Sequence, residues 1–192
     1  METVKDLMVP VAEYATVHED QTLGEAVITL AKVREKRRMR GEDYRPRGLL
    51  VLGQENRVVG KLSQMDIIMD LEPRYRTTTG SEALAHTATA GLSPALLKSM
   101  MEWYSLWDES FEQRCQKVLN MKAKDCMHLP RKDEYVGEEE PLEVAIHQMV
   151  MGRHQHLLVT KDREIVGILR LTDLFERVAD FMGELEKSRV SN

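Results

Sequence analysis

The chain has 192 residues, enough for one sizeable core or two small ones. With 42% hydrophobic and 31% charged residues it has ordinary globular composition, and a formal net charge of −5 argues against non-specific coating of nucleic acid. The start, Met1-Glu2-Thr3-Val4-Lys5-Asp6, lacks the basic and apolar runs of a signal peptide, no stretch approaches a membrane-spanning helix, and Cys115 and Cys126 alone make no disulfide framework, so a cytoplasmic protein is expected.

Taken in order, Thr3-x-x-Asp6 reads as a capping box opening a short helix that Pro10 ends. Thr16-Val17 is a short extended piece. Thr22-x-x-Glu25 is a second capping signal, followed by Leu23, Ala26, Val27, Leu30 and Val33 at helical spacing. Gly48 to Leu52 reads as a strand, Gly53-Gln54-Glu55-Asn56 as a turn and Arg57 to Leu62 as the antiparallel return. Ser63-Gln64-Met65-Asp66 then opens a helix that runs out at Pro73. Thr77-Thr78-Thr79-Gly80-Ser81 is a loop, and Ser93-Pro94 caps a helix of roughly seven turns carrying Leu97, Met100, Met101, Tyr104, Trp107, Phe111, Cys115 and Val118 on one face.

Beyond residue 120 the first pattern returns. Ala123-Lys124-Asp125-Cys126-Met127 repeats Val4-Lys5-Asp6-Leu7-Met8 at an offset of 119, which holds through Val17 and Val136, Leu23 and Leu142, and Ala26 and Ala145. Ala145, Ile146, Met149 and Val150 form an apolar helix face. His156 to Thr160 is a strand, Lys161-Asp162-Arg163 a turn, and Glu164 to Leu169 the return, matching Arg57 to Leu62 at an offset of 107. A last helix begins near Leu171 and carries Leu174, Val178 and Phe181. The change of offset leaves 12 extra residues in the first copy, within Lys32 to Arg47. A unit found twice, with one change of offset inside a loop, points to two copies of one small fold packed together. The expected boundaries are 1–72 for the first copy, 73–120 for a helical insertion and 121–192 for the second copy.

A duplicated β-α-β-β-α unit with Gly60-Lys61-Leu62-Ser63-Gln64-Met65-Asp66 resembles the cystathionine-β-synthase (CBS) domain pair, or Bateman module. That family carries Gly, two apolar residues, Ser or Thr, two residues, then Asp. Lys61 departs from the first copy's pattern, and Arg170 takes the Ser/Thr place in Gly167-Ile168-Leu169-Arg170-Leu171-Thr172-Asp173. The resemblance covers nearly all of residues 1–72 and 121–192 and none of Arg74 to Asn120. It implies an α/β (α+β) fold of two repeats in a pseudo-twofold module, with two clefts between half-sheets that bind adenosyl compounds: AMP, ADP or ATP, ahead of S-adenosylmethionine.

By the same resemblance, Asp66 and Asp173 would accept hydrogen bonds from a ribose diol, and Ser63 would meet phosphate at a helix start. Arg170 would supply charge to phosphate instead. Arg47 and His154, each placed just before a middle strand by aligning the strands, would reach the phosphates, and Thr16, Val17 and Val136 would complete the sites. Ser63-x-x-Asp66 equally suits plain helix capping, and Arg47 and His154 equally suit exposed loops.

The basic run Arg34, Lys36, Arg37, Arg38, Arg40, Arg45, Arg47 reads as a solvated loop or as a receiver of phosphate or an acidic partner. His147, His154 and His156 carry a weak metal signal with no nearby cysteine. There is no Gly-rich phosphate loop followed by Lys, no nucleophile elbow and no activated-cysteine context, so no enzyme is expected. The long apolar helix face either covers the module's edge or builds a homodimer or a docking site for another protein. The expected function is a sensor of an adenosyl nucleotide that signals to a partner protein, needing no metal, membrane or nucleic acid; the alternative is a ligand-free dimerisation and docking module.

Overall fold

The computed structural model describes residues 2–41, 46–71, 99 and 109–190. In the first repeat, α1 (Val4–Leu7) leads into β1 (Val9–Pro10), then β2 (Thr16–His18), α2 (Leu23–Met39), β3 (Gly48–Leu52), β4 (Val58–Ser63) and α3 (Gln64–Asp70). α4 (Phe111–Val118) precedes the second repeat of α5 (Ala123–Cys126), β5 (Tyr135–Gly137), α6 (Leu142–Gly152), β6 (His156–Lys161), β7 (Glu164–Arg170) and α7 (Leu171–Val190). One sheet runs β1-β7-β6-β5, with β5 parallel to β6 and the other neighbours antiparallel; a second runs β2-β3-β4. The mixed α+β architecture is the one the resemblance implies.

The capping signals act as read. Thr3 and Thr22 each donate backbone N–H and hydroxyl to the carboxylate three residues on, at 2.8 and 3.0 Å to Asp6 and 2.7 and 3.2 Å to Glu25. The corresponding helices of the two copies bury matching stripes, Leu23, Ala26 and Leu30 in α2 and Leu142, Ala145 and Met149 in α6, while Val27, Ile146 and Val150 face outward. A helix lying on one sheet hides only a narrow stripe, so the wider apolar face read from periodicity is half exposed.

Two expectations are corrected. The 12 extra residues of the first copy do not form a loop throughout: α2 continues to Met39, against 11 residues in α6, and carries Arg34 to Arg38 on helix. Lys, Arg, Glu and Met are good helix formers, and Glu35 holds Arg38 one turn on at 2.7 Å. The helix expected to run unbroken to Val118 is interrupted at Ser110. This residue is extended at φ −67°, ψ 158° and forms a capping box with Gln113, so α4 starts afresh at Phe111. Leu97, Met100, Met101, Tyr104 and Trp107 lie outside the described residues, and Phe111 is 68% exposed.

The leading segment of each repeat is built into the other repeat. Val9 and Pro10 pair antiparallel with Ile168 and Gly167 of β7, and His128 pairs with Lys61 of β4, the same positions once the offsets are applied. Thr3 bridges Pro141 as Thr22 bridges Lys122. Val4 N–H donates to Glu140 C=O at 2.9 Å and Ala123 N–H to Gln21 C=O at 2.8 Å; Lys5 meets Glu139 as Lys124 meets Asp20.

Two glycines permit this pairing. A Cβ on Gly167 would stand 2.8 Å from both Val9 O and Met8 Sδ, and one on Gly60 would stand 2.5 Å from Met127 Sδ and 3.1 Å from His128 O. Only a bare Cα lets the crossing backbone and its methionine close on the return strand.

The chain therefore divides into two compact units that are each discontinuous in sequence. One is Met1–Thr16, Leu52–Val59 and Leu129–Asn192; the other is Val17–Val51 and Gly60–His128. In the first, Val4 joins Val136, Leu142, Ala145, Met149, Leu157, Val159, Leu169 and Leu174 in one core. In the second, Val17, Leu23, Leu49, Leu50, Val51, Leu62, Ala123 and Cys126 are buried.

Candidate functional site

In the first repeat the return strand β4 delivers Ser63 to the start of α3, one turn before Asp66. Ser63 donates its backbone N–H and hydroxyl to Asp66 Oδ2 at 2.7 and 2.6 Å, and Asp66 N–H donates to Ser63 Oγ at 3.2 Å. Both side chains remain partly exposed. The next residue ties the site together: Gln64 N–H donates to Arg47 C=O at 2.8 Å. Gly48 lies close against this junction, since a Cβ there would sit 2.9 Å from Leu62 O and 3.1 Å from Ser63 Cα. Exposed Arg47 is thus anchored by its backbone beside the Ser63–Asp66 turn. Val17 is buried, whereas Thr16 on the same short strand is half-buried.

This arrangement has two chemical capacities. Asp66 offers a carboxylate to hydroxyl donors and Arg47 an exposed cation beside it, while the N–H groups of Gln64 and Asp66 at the start of α3 are already taken by Arg47 C=O and Ser63 Oγ. A diol reaching Asp66 would compete with the capping bonds from Ser63 or use the other carboxylate oxygen.

The second repeat arranges equivalent positions differently. Arg170 clamps Asp173 through Nε to Oδ2 and Nη2 to Oδ1, with the two side chains only 12% and 13% exposed. The acid that corresponds to Asp66 is thus engaged by a cation rather than a hydroxyl. Leu171 N–H donates to Gln155 C=O at 2.9 Å, the counterpart of the bond from Gln64 to Arg47. This bond, and the match of buried Leu157-Leu158-Val159 with Leu49-Leu50-Val51, sets Gln155 opposite Arg47 and moves His154 one place away from the position that strand alignment gave it. The turn of this hairpin is one residue shorter than in the first copy, since Lys161 pairs with Glu164 across Asp162-Arg163 where Gly53 N–H donates to Arg57 C=O across Gln54-Glu55-Asn56, and a fixed offset read along the chain misses that shift.

His154 is no exposed loop residue. Its side chain is 8% exposed, and Nε2 lies 3.1 Å from Asp133 Oδ2. It follows Arg153, which ends α6 in the left-handed region at φ 52°, and its ring occupies the space that any side chain on Gly152 would need, 2.0 Å from a Cβ there. His147 is exposed, and among the described residues no group of three or more His, Cys, Asp or Glu gathers at metal-binding distance. Val136 is buried in the core beside Leu157 and Val159. Exposed Gln155 is the position that sequence reasoning passed over; its signal was its place immediately before β6, matching Arg47 before β3.

A duplicated α+β unit whose return strand carries a glycine for a crossing strand and delivers a cap-and-acid turn defines one class of small paired domain. The family model for the CBS domain matches residues 4–72 and 123–180, and the chain belongs to that family. Among solved structures it is similar to CBSX2 in complex with AMP (17% identity, 95% of this chain and 99% of that one, TM-score 0.57). It is also similar to the CBS domain of a bacterial CNNM/CorC family Mg2+ transporter in complex with ATP (13% identity, 92% and 87% covered, TM-score 0.56). A third is a CBS domain-containing protein from Kribbella flavida (18% identity, 93% and 98% covered, TM-score 0.56). Among curated proteins none matches the sequence. No helix of the described residues is long and apolar enough to cross a membrane.

Proposed function

We propose that this CBS pair is a non-enzymatic sensor of an adenine nucleotide, working as a homodimer in the cytoplasm and passing ligand occupancy to a partner protein. The observation that carries the reading is the first-repeat site, where Arg47, Ser63 and Asp66 are drawn to one place by the hydrogen bond from Gln64 to Arg47. Two fold relatives with AMP and ATP bound support the ligand class. In this reading Asp66 recognises the ribose, Ser63 and Arg47 the phosphates, and Val17 and Thr16 border the base. Arg170, Asp173, Val136, His154 and Gln155 are the corresponding set in the second repeat. Signalling follows from linkage: a nucleotide that binds one state of the protein more tightly shifts the population toward it, and the partner responds to that state.

A panel of AMP, ADP, ATP, S-adenosylmethionine and GTP in thermal unfolding tests the reading. A specific ligand at 100 times its Kd stabilises by about 2.7 kcal/mol, easily seen as a shift in Tm. Asp66→Asn should lower calorimetric affinity for the best nucleotide at least tenfold while leaving Tm nearly unchanged. The competing reading, a docking module with no small-molecule ligand, draws on the fact that Asp66 and Asp173 are each already engaged within the fold. A flat panel would select it.

A further inference from the structure

We propose that Arg170 restricts this protein to one nucleotide per chain, by holding in the second repeat the carboxylate that the first repeat leaves open to a ribose. The inference rests on the nucleotide reading above and narrows it to a single site. β4 ends at Ser63 and β7 at Arg170, each three residues before an aspartate at the start of the next helix. In the first repeat both capping bonds, from Ser63 N–H and hydroxyl, go to Oδ2 of Asp66. Oδ1 takes no part in the cap, so a hydroxyl donor can be accepted there without dismantling the turn.

In the second repeat Arg170 spans the whole carboxylate, Nε to Oδ2 and Nη2 to Oδ1 of Asp173. A bidentate guanidinium–carboxylate pair is among the strong side-chain pairings, and the two members are only 12% and 13% exposed. A ribose diol brings neutral donors and cannot replace the cation. Prising the pair apart would leave two poorly hydrated charges, a penalty of roughly 100-fold or more in affinity.

The neighbouring groups reinforce the difference. Exposed Arg47 is fixed by its backbone beside Ser63 and Asp66, whereas its counterpart Gln155 accepts the same backbone bond, from Leu171, but brings no charge. The charge of Arg170 is neutralised within its pair, and His154 is turned inward to Asp133. The first repeat thus presents a carboxylate for hydroxyls and a cation for phosphate. Positions 155, 170 and 173 of the second present neither.

Equilibrium dialysis of the full chain against labelled AMP and ATP counts the sites. The native protein should bind one nucleotide per chain, and Asp66→Asn should weaken that whole population by about tenfold or more, with no unaffected class remaining. Arg170→Ser should open a second site for AMP. Arg170→Ser with Gln155→Arg, which rebuilds the first-repeat set in the second, should open it for ATP as well. Should circular dichroism show these variants unfolded, Ser63→Arg carries the test from the other side, since a clamp on Asp66 should abolish binding by a folded protein. Two nucleotides per chain in the native protein overturn this inference and leave the sensor reading standing. A folded Arg170→Ser variant that still binds one per chain, with or without Gln155→Arg, overturns the role of Arg170. A native protein that binds neither nucleotide overturns both readings.

Discussion

The two repeats share a backbone plan but differ in what stands at the first turn of their last helix. In the first, Ser63 caps α3 and shares Asp66 through hydroxyl and amide bonds, leaving both partly exposed. In the second, Arg170 clamps Asp173 in a nearly buried ion pair. A hydroxyl cap contributes modestly to stability and is readily displaced. A buried ion pair is costly to disturb because either partner left alone is a desolvated charge. The same position is therefore readily rearranged in one repeat and committed to an ion pair in the other.

The largest effects should come from the glycines that admit the crossing segments. Gly167→Ala sets a Cβ against the backbone of Val9 as well as Met8, and should lower stability by about 2–3 kcal/mol in urea unfolding. Gly60→Ala meets chiefly the flexible Met127 side chain and should cost about 1 kcal/mol. Equal losses would mean that the two crossings are equally tight.

Next, Arg170→Ala should cost about 2 kcal/mol, because it strands Asp173, whereas Ser63→Ala should cost about 1 kcal/mol. Adding Asp173→Ala to Arg170→Ala should recover part of the loss. If the single and double variants are equally unstable, Arg170 acts through packing rather than charge.

The smallest effect separates the leading segments by pH. Asp6 is held below the ordinary carboxylate range by hydrogen bonds from the Thr3 backbone and hydroxyl, Glu25 likewise by Thr22, and Asp20 by Lys124. A carboxyl with a depressed folded pKa contributes stability that is present above its unfolded pKa and lost as pH falls through the folded value. These contributions should therefore fade below about pH 4.5. Denaturant midpoints of Asp6→Asn with Glu25→Gln should fall less steeply between pH 5 and 3 than those of the native chain. Parallel curves would show that these carboxylates are not differently protonated in the folded and unfolded states.

Much of the fold was legible because the signals that mark it are local. Capping boxes at Thr3, Thr22 and Ser63 and the apolar run Gly48–Leu52 each act over a few residues, and the second copy supplies an independent reading of the same pattern. The site was less legible. Ser-x-x-Asp has one appearance whether it caps or binds, and in this structure it caps. The counterpart of Arg47 fell at Gln155 because the second copy's turn is one residue shorter, and His154 turned inward to Asp133 because Gly152 left room for its ring.

The sequence by itself determined that there are two copies of one unit and where the helices after Thr3, Thr22 and Ser63 begin, because caps are properties of neighbours along the chain. Only the tertiary structure decided which copy each leading segment joins. Val4 could have packed on its own repeat or on the other with the same pattern of apolar residues, and the choice of β7 over β4 rests on long-range pairing at Gly167 that no local interaction specifies.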